Sequence, residues 1–143
     1  MTRYLMTIVC MFSVWTCAHE ANKPRISIGD YEYEEPPLEN VRISYYEPVA
    51  EQCQGNPLIT ASSAKIDTIA LRNGEIRWVA VSRDLEDRFR FGDSIEIFIS
   101  EGHKWNGNYL VNDRTSKRLT KTVDILSNTF KGGCYQGQIT KVL

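Results

Sequence analysis

The sequence predicts an all-β domain closed into a small barrel. Three observations carry that expectation. Six short runs of alternating or wholly apolar residues follow position 41, separated by turn-forming residues. No stretch there sustains the 3.6-residue period of an amphipathic helix. The chain has 143 residues, enough for one ordinary core and too few for two domains, and six short strands at that length suggest a closed barrel.

The N-terminus differs from the rest. Arg3 precedes an apolar run from Tyr4 to Trp15 that includes Leu5, Met6, Ile8, Val9, Met11, Phe12 and Val14, followed by Thr16, Cys17 and Ala18. A basic start, a short apolar run and small residues describe a secretory signal peptide over residues 1–18. The run is too short for a comfortable membrane span. Cleavage near Ala18 and export to the periplasm or cell envelope are expected, with no membrane span after cleavage. Two alternatives stay open: an uncleaved anchor, and a lipoprotein modified on Cys17. Against the second, bulky Trp15 stands where lipoprotein signals carry a small residue. Residues 19–40 are acidic and proline-bearing, with Asp30, Glu32, Glu34, Glu35 and Glu39 among Pro24, Pro36 and Pro37, and read as an extended linker.

The domain is expected over residues 41–143. Its first strand alternates from Val41 to Tyr45. Ile76 to Val81 forms the second, and Ile95, Ile97 and Ile99 mark the third. Asn108 to Asn112, Thr122 to Leu126 and Gln138 to Leu143 complete the six. A helical turn is expected around Leu85 to Phe89. Gly102 to Gly107, carrying His103 and Trp105, reads as a hairpin turn, so Trp105 is expected at the surface and His103 in solvent, whereas Trp78 belongs to the core.

Charge and cysteine content narrow the function classes. The formal net charge is −1, which offers no electrostatic basis for nucleic-acid binding. After signal cleavage Cys53 and Cys134 remain. In an oxidising compartment they can form one disulfide, closing a loop of about eighty residues for roughly 4 kcal/mol of chain entropy; the alternative is two free thiols. They are too far apart for a zinc knuckle, and only His19 and His103 are available to complete a site, so no metal and no cofactor are expected.

One local signal is sharper. Phe91-Gly92-Asp93-Ser94-Ile95-Glu96-Ile97 sets a Gly-Asp pair before an alternating strand. Glycine permits the tight turn, and the aspartate side chain can fix it by accepting backbone amides. This resembles the Gly-Asp turn of double-psi β-barrels, so Asp93 is assigned a structural part. The other segments are Tyr45-Tyr46, Cys53 to Ser62, Val79-Ala80-Val81-Ser82-Arg83-Asp84-Leu85, Tyr109-Leu110-Val111-Asn112-Asp113-Arg114 and Val123-Asp124-Ile125. In this order they resemble the 3D domain, named for three aspartates on a six-stranded double-psi β-barrel. That barrel forms the catalytic part of membrane-bound lytic murein transglycosylase A, and rare lipoprotein A and barwin-like proteins carry related barrels. The resemblance covers residues 41–143, nearly the whole mature chain. Asp84, Asp113 and Asp124 match the three aspartates. Three departures bear on substrate choice more than on fold: Arg83-Asp84-Leu85 replaces an Asp-Pro pair, Arg114-Thr115-Ser116-Lys117-Arg118 replaces a glycine-rich stretch, and Phe130-Lys131-Gly132-Gly133-Cys134 is a poor copy of the family's last segment.

The resemblance implies a peptidoglycan lytic transglycosylase. Such an enzyme cuts between N-acetylmuramic acid and N-acetylglucosamine without water and leaves a 1,6-anhydro ring. One carboxylic acid protonates the leaving oxygen and then, as carboxylate, accepts the proton of the sugar's C6 hydroxyl. Asp124 takes that role by position, since Val123 and Ile125 flank it and face the core. Asp113 is the expected neighbour that raises the Asp124 pKa or orients it. Arg114 and Arg118 are candidates for substrate carboxylates, Tyr46 and Trp105 for stacking on sugar rings, and Asp84 for a further substrate contact. The alternative is a non-catalytic peptidoglycan-binding or expansin-like wall module; a third class is an interaction module tethering an envelope assembly. The expected partner is the glycan strand and the expected state a monomer.

Overall fold

The computed structural model of the chain describes residues 26–28, 31–33, 35–53, 55–129 and 133–142. The signal peptide with its cleavage point, Cys10, Cys17 and residues 130–132 lie outside the described residues. Among the described residues eight strands follow in order: β1 (Ile26–Ile28), β2 (Tyr31–Tyr33), β3 (Leu38–Tyr46), β4 (Trp78–Val81), β5 (Ser94–Phe98), β6 (Gly107–Arg114), β7 (Thr122–Leu126) and β8 (Tyr135–Val142). One short helix, α1 (Thr68–Arg72), and a single 3-10 turn at Arg83–Leu85 interrupt them.

Six of the strands form a ring in the order β8-β3-β7-β4-β6-β5, closed because β8 pairs with both β3 and β5. Two ladders in the ring are parallel, β3 with β7 and β4 with β6; the others are antiparallel. Closure leaves these six strands no free edge, which removes the usual template for edge-to-edge aggregation. β1 and β2 form an antiparallel hairpin attached to β8 through Tyr33 opposite Val142. Part of the stretch expected to be a linker therefore carries strands, and β3 starts at Leu38, ahead of the expected boundary.

Period-two alternation builds the core. Val41 and Ile43 of β3, Val79 and Val81 of β4, Ile95 and Ile97 of β5, Tyr109 and Val111 of β6, Val123 and Ile125 of β7 and Ile139 of β8 are all buried in one cluster. Each such side chain contributes about 1.5–3 kcal/mol of transfer free energy. Phe89 and Trp105 join from the connections, both wholly buried. A second cluster of Ile66, Leu71 and Leu126, packed against Tyr46, Ile76 and Trp78, holds α1. Asp67 starts that helix by accepting the amides of Ile69 at 2.8 Å and Ala70 at 3.1 Å.

The Gly-Asp turn forms as the sequence implies. Gly92 has φ +90°, a left-handed conformation that glycine adopts freely, and Asp93 Oδ2 accepts the Arg90 amide at 2.7 Å. Lys141 of β8 adds an ion pair to Asp93 at 3.2 Å.

Expectations are corrected at two places, the turn that carries His103 and Trp105 and the cysteine pair. Trp105 is not at the surface: the residue after its turn begins β6 almost at once, and its ring sits edge-on to Tyr45 at 6.0 Å and Tyr135 at 5.0 Å inside the barrel. His103 is half-buried rather than solvated, accepts the Trp105 amide at 3.2 Å and packs edge-on against Tyr135 at 4.6 Å. The second correction is the disulfide. Cys53 and Cys134 are both free thiols. Cys53 donates to the Glu47 carbonyl at 3.5 Å, whereas Cys134 precedes Tyr135, which pairs with Ile43. Cys134 Sγ instead accepts the Arg42 Nε–H at 3.0 Å, so the two thiols have different partners.

Candidate functional site

The strand register assembles the site. Ser44 lies opposite Asp124, Asp124 opposite Ala80, and Ala80 opposite Asp113. A row of four residues thus crosses β3, β7, β4 and β6 on the face turned away from the core, because their neighbours Ile43, Val123, Val79 and Val81 all point inward. Asp113 joins this row only through a β-bulge. Val111 pairs with Val79 but Asp113, not Asn112, pairs with Ala80. The extra residue, Asn112, is tied off by Ser62, whose hydroxyl donates to its side-chain oxygen and whose amide donates to its carbonyl at 3.4 Å. Without that bulge Asp113 would follow the alternation to the other face.

Asp124, Ala80 and Asp113 of this row form the floor of a groove of about 1060 Å³, and Ser44 lies at the row's end outside its lining. One wall is the long connection after β3, including Cys53, Ile59 and Ala61; the other is the turn from Thr115 to Leu119, with Arg83 and Arg114 beside it. Ala80, between the two aspartates, has no bulk to fill the space above it. Two strand spacings separate the backbones of Asp113 and Asp124, roughly 9–10 Å.

The two carboxylates sit in different environments. Asp113 is held by three donors: the amides of Ala61 and Arg114, each at 2.8 Å to Oδ1, and the Tyr46 hydroxyl at 2.8 Å to Oδ2. It fastens the groove wall to the barrel. Tyr46 is correspondingly a donor locked to Asp113: burial and that negative neighbour push its phenol pKa well above the ordinary tyrosine range. Asp124 is half-buried and takes a hydrogen bond on Oδ1 from the Ser44 hydroxyl. Burial raises its carboxyl above the ordinary range, against the opposing pull of the Ser44 bond and the Arg42 charge. Asp113, one expected source of that rise, is not among its causes.

The remaining expected residues divide. Arg118 is exposed and lines the groove. Arg114 also lines it; its Nε is 3.8 Å from Glu86 and the group lies 4.2 Å over the Phe91 ring, while its buried Nη1 has no hydrogen-bond partner among the described residues. Asp84 is not among the groove residues. It accepts the Lys121 amide at 2.9 Å, fastening the start of β7. Slight desolvation works upward on its carboxyl and is outweighed by the hydrogen bonds from Ser82 and Lys121, so its pKa is lowered. Ser44, Arg83 and Lys117 belong to the site and were not anticipated. The signal for Ser44 was present, since Ile43-Ser44-Tyr45 and Val123-Asp124-Ile125 alternate alike, but which strands are neighbours is not written in either segment.

Among the described residues no helix is long and apolar enough to cross a membrane, and no group of three or more His, Cys, Asp or Glu side chains is placed to hold a metal ion. No protein-family model matches the chain, and no curated protein matches it. Fold and site together define a closed, mixed six-stranded β-barrel with an open groove floored by two aspartates of unlike environment.

Proposed function

We propose that this protein is an exported lytic transglycosylase acting on peptidoglycan glycan strands, with Asp124 as its acid/base. The observation that carries the proposal is the setting of Asp124: a half-buried carboxyl at the floor of an open groove, its pKa raised by burial. A group that must give a proton and take one back works best with a pKa near the operating pH. Protonated Asp124 gives its proton to the leaving oxygen as the bond from muramic C1 breaks. The C6 oxygen then bonds to C1, and the C6 hydroxyl proton returns to Asp124. Atoms balance without water, and the catalyst is regenerated.

Asp113, held by three donors, is a positioning residue that shapes the groove through Ala61 and Tyr46. Arg118, with Arg83 and Lys117 along the same wall, supplies positive charge for lactyl or stem-peptide carboxylates. Support for the finer fold assignment, a double-psi barrel, comes from the two parallel ladders, β3–β7 and β4–β6, within an otherwise antiparallel ring.

The test is incubation of purified protein with sacculi between pH 4 and 8, with products analysed by mass. Release of 1,6-anhydromuropeptides is expected. Binding to sacculi with no release at any pH overturns the assignment in favour of a non-catalytic, expansin-like wall module.

A further inference from the structure

We propose that Ser44 is a positioning residue that confines the transferable proton of Asp124 to the oxygen facing the groove. The inference rests on the transglycosylase reading for its use, but its geometry stands apart. Ser44 and Asp124 are directly opposite in the parallel β3–β7 ladder, so both side chains leave the same face of the sheet. The Ser44 hydroxyl donates to Oδ1 of Asp124. While the Ser44 hydroxyl donates to Oδ1, that oxygen is an acceptor. In the carboxylic acid, Oδ1 is then the carbonyl oxygen and the acid proton sits on Oδ2.

That assignment matters because the two oxygens differ in access. Oδ1 is taken by Ser44, which does not line the groove, whereas Asp124 does. From this we infer that Oδ2 is the oxygen left for the groove. Proton donation to the leaving oxygen and proton return from the C6 hydroxyl both then use one atom, and no carboxyl rotation is needed between them. A carboxyl free to turn would spend part of its time with the proton directed at β3, where no substrate can meet it.

The charged and titratable groups around Asp124 do not duplicate this contact. Arg42 and Tyr46 reach it from β3 only through their charge fields, Arg42 lowering its pKa. From β4 the neighbour is Ala80, which has no polar side chain, and from β6 it is Asp113, whose oxygens are taken by Tyr46, Ala61 and Arg114. Across the groove stand Arg83 and Arg118.

The experiment compares wild type, Ser44→Ala and Ser44→Thr in the full mature protein. The first readout is the side-chain carboxyl resonance of Asp124, titrated by carbon-detected NMR without substrate. Ser44→Ala should move the midpoint upward, since it removes a hydrogen bond favouring the ionised form, and Ser44→Thr should bring it back. The second readout is turnover on sacculi across pH. Ser44→Ala should lower kcat about tenfold with little change in KM, and the high-pH limb of the profile should move upward with the carboxyl. Threonine should restore both. A midpoint that does not move in Ser44→Ala overturns the proposal, and so does an alanine variant as fast as wild type with an unshifted profile. If wild type releases no anhydro product, the transglycosylase reading falls by itself; the titration still decides whether Ser44 governs the Asp124 proton.

Discussion

At the scale of single residues, the site separates two aspartates that look alike in the sequence. Asp113 is satisfied by three donors, whereas Asp124 has one and is raised by burial. Replacing Asp124 by Asn keeps the shape and cannot transfer a proton, so turnover on sacculi should fall by about 10²–10⁴-fold with binding retained. The same variant should be more heat-stable than wild type at neutral pH. A carboxyl whose folded pKa lies above its unfolded value binds its proton more tightly when folded. It therefore lowers stability as pH rises from the ordinary carboxylate range through the folded pKa, and the penalty is complete above it. Scanning calorimetry should show the Asn variant melting higher at pH 7 and matching wild type below about pH 3.5. Tyr46→Phe removes one donor from the Asp113 carboxylate. We expect a loss of about 1–3 kcal/mol by urea denaturation, and a loosened groove wall visible as faster amide exchange at Ala61.

At the scale of elements, the six strands of the barrel were legible because alternation and turn residues are local properties. Ile95-Glu96-Ile97 and Val123-Asp124-Ile125 state their buried faces outright, and the Gly92-Asp93 turn states its own geometry. What was not legible depended on neighbours. The helix α1 is only five residues long, too short to show a period, and is held by its Asp67 cap and the Leu71 contact. Trp105 reads as a sugar-stacking ring but is a core residue, and Tyr46 lines the groove while its hydroxyl is given to Asp113 of β6, because the partner strands decide which way each ring finds space. The Asn112 bulge that brings Asp113 into the row is invisible in a strand that otherwise alternates. Gly137 of β8 gives an element-scale test. A Cβ there would lie 2.8 Å from the Phe98 carbonyl oxygen and 3.1 Å from Ile43. Gly137→Ala should therefore cost about 1–3 kcal/mol, seen as a lower urea midpoint with an unchanged slope.

At the scale of the whole molecule, the free thiols set an expectation for solution behaviour. Reducing agent should leave the melting temperature unchanged. An aromatic disulfide reagent should label exposed Cys134 quickly. It should label Cys53 slowly, because that thiol is half-buried and burial raises its pKa. A melting temperature that drops on reduction would show a bridge the structure does not have. The ring closure bears on a different matter, the order in time of assembly. Ser44, Ala80, Asp113 and Asp124 all precede β8, the strand that joins β3 to β5. During synthesis every residue of the groove is therefore made before the segment that seals the barrel, and long-range pairing of this kind is slow to form. A chain halted before Tyr135 would carry a complete set of site residues on an open sheet with two bare edges. The groove should then take its final shape in a single late event, when the last stave is set and the hoop tightens, rather than growing with the length of the chain.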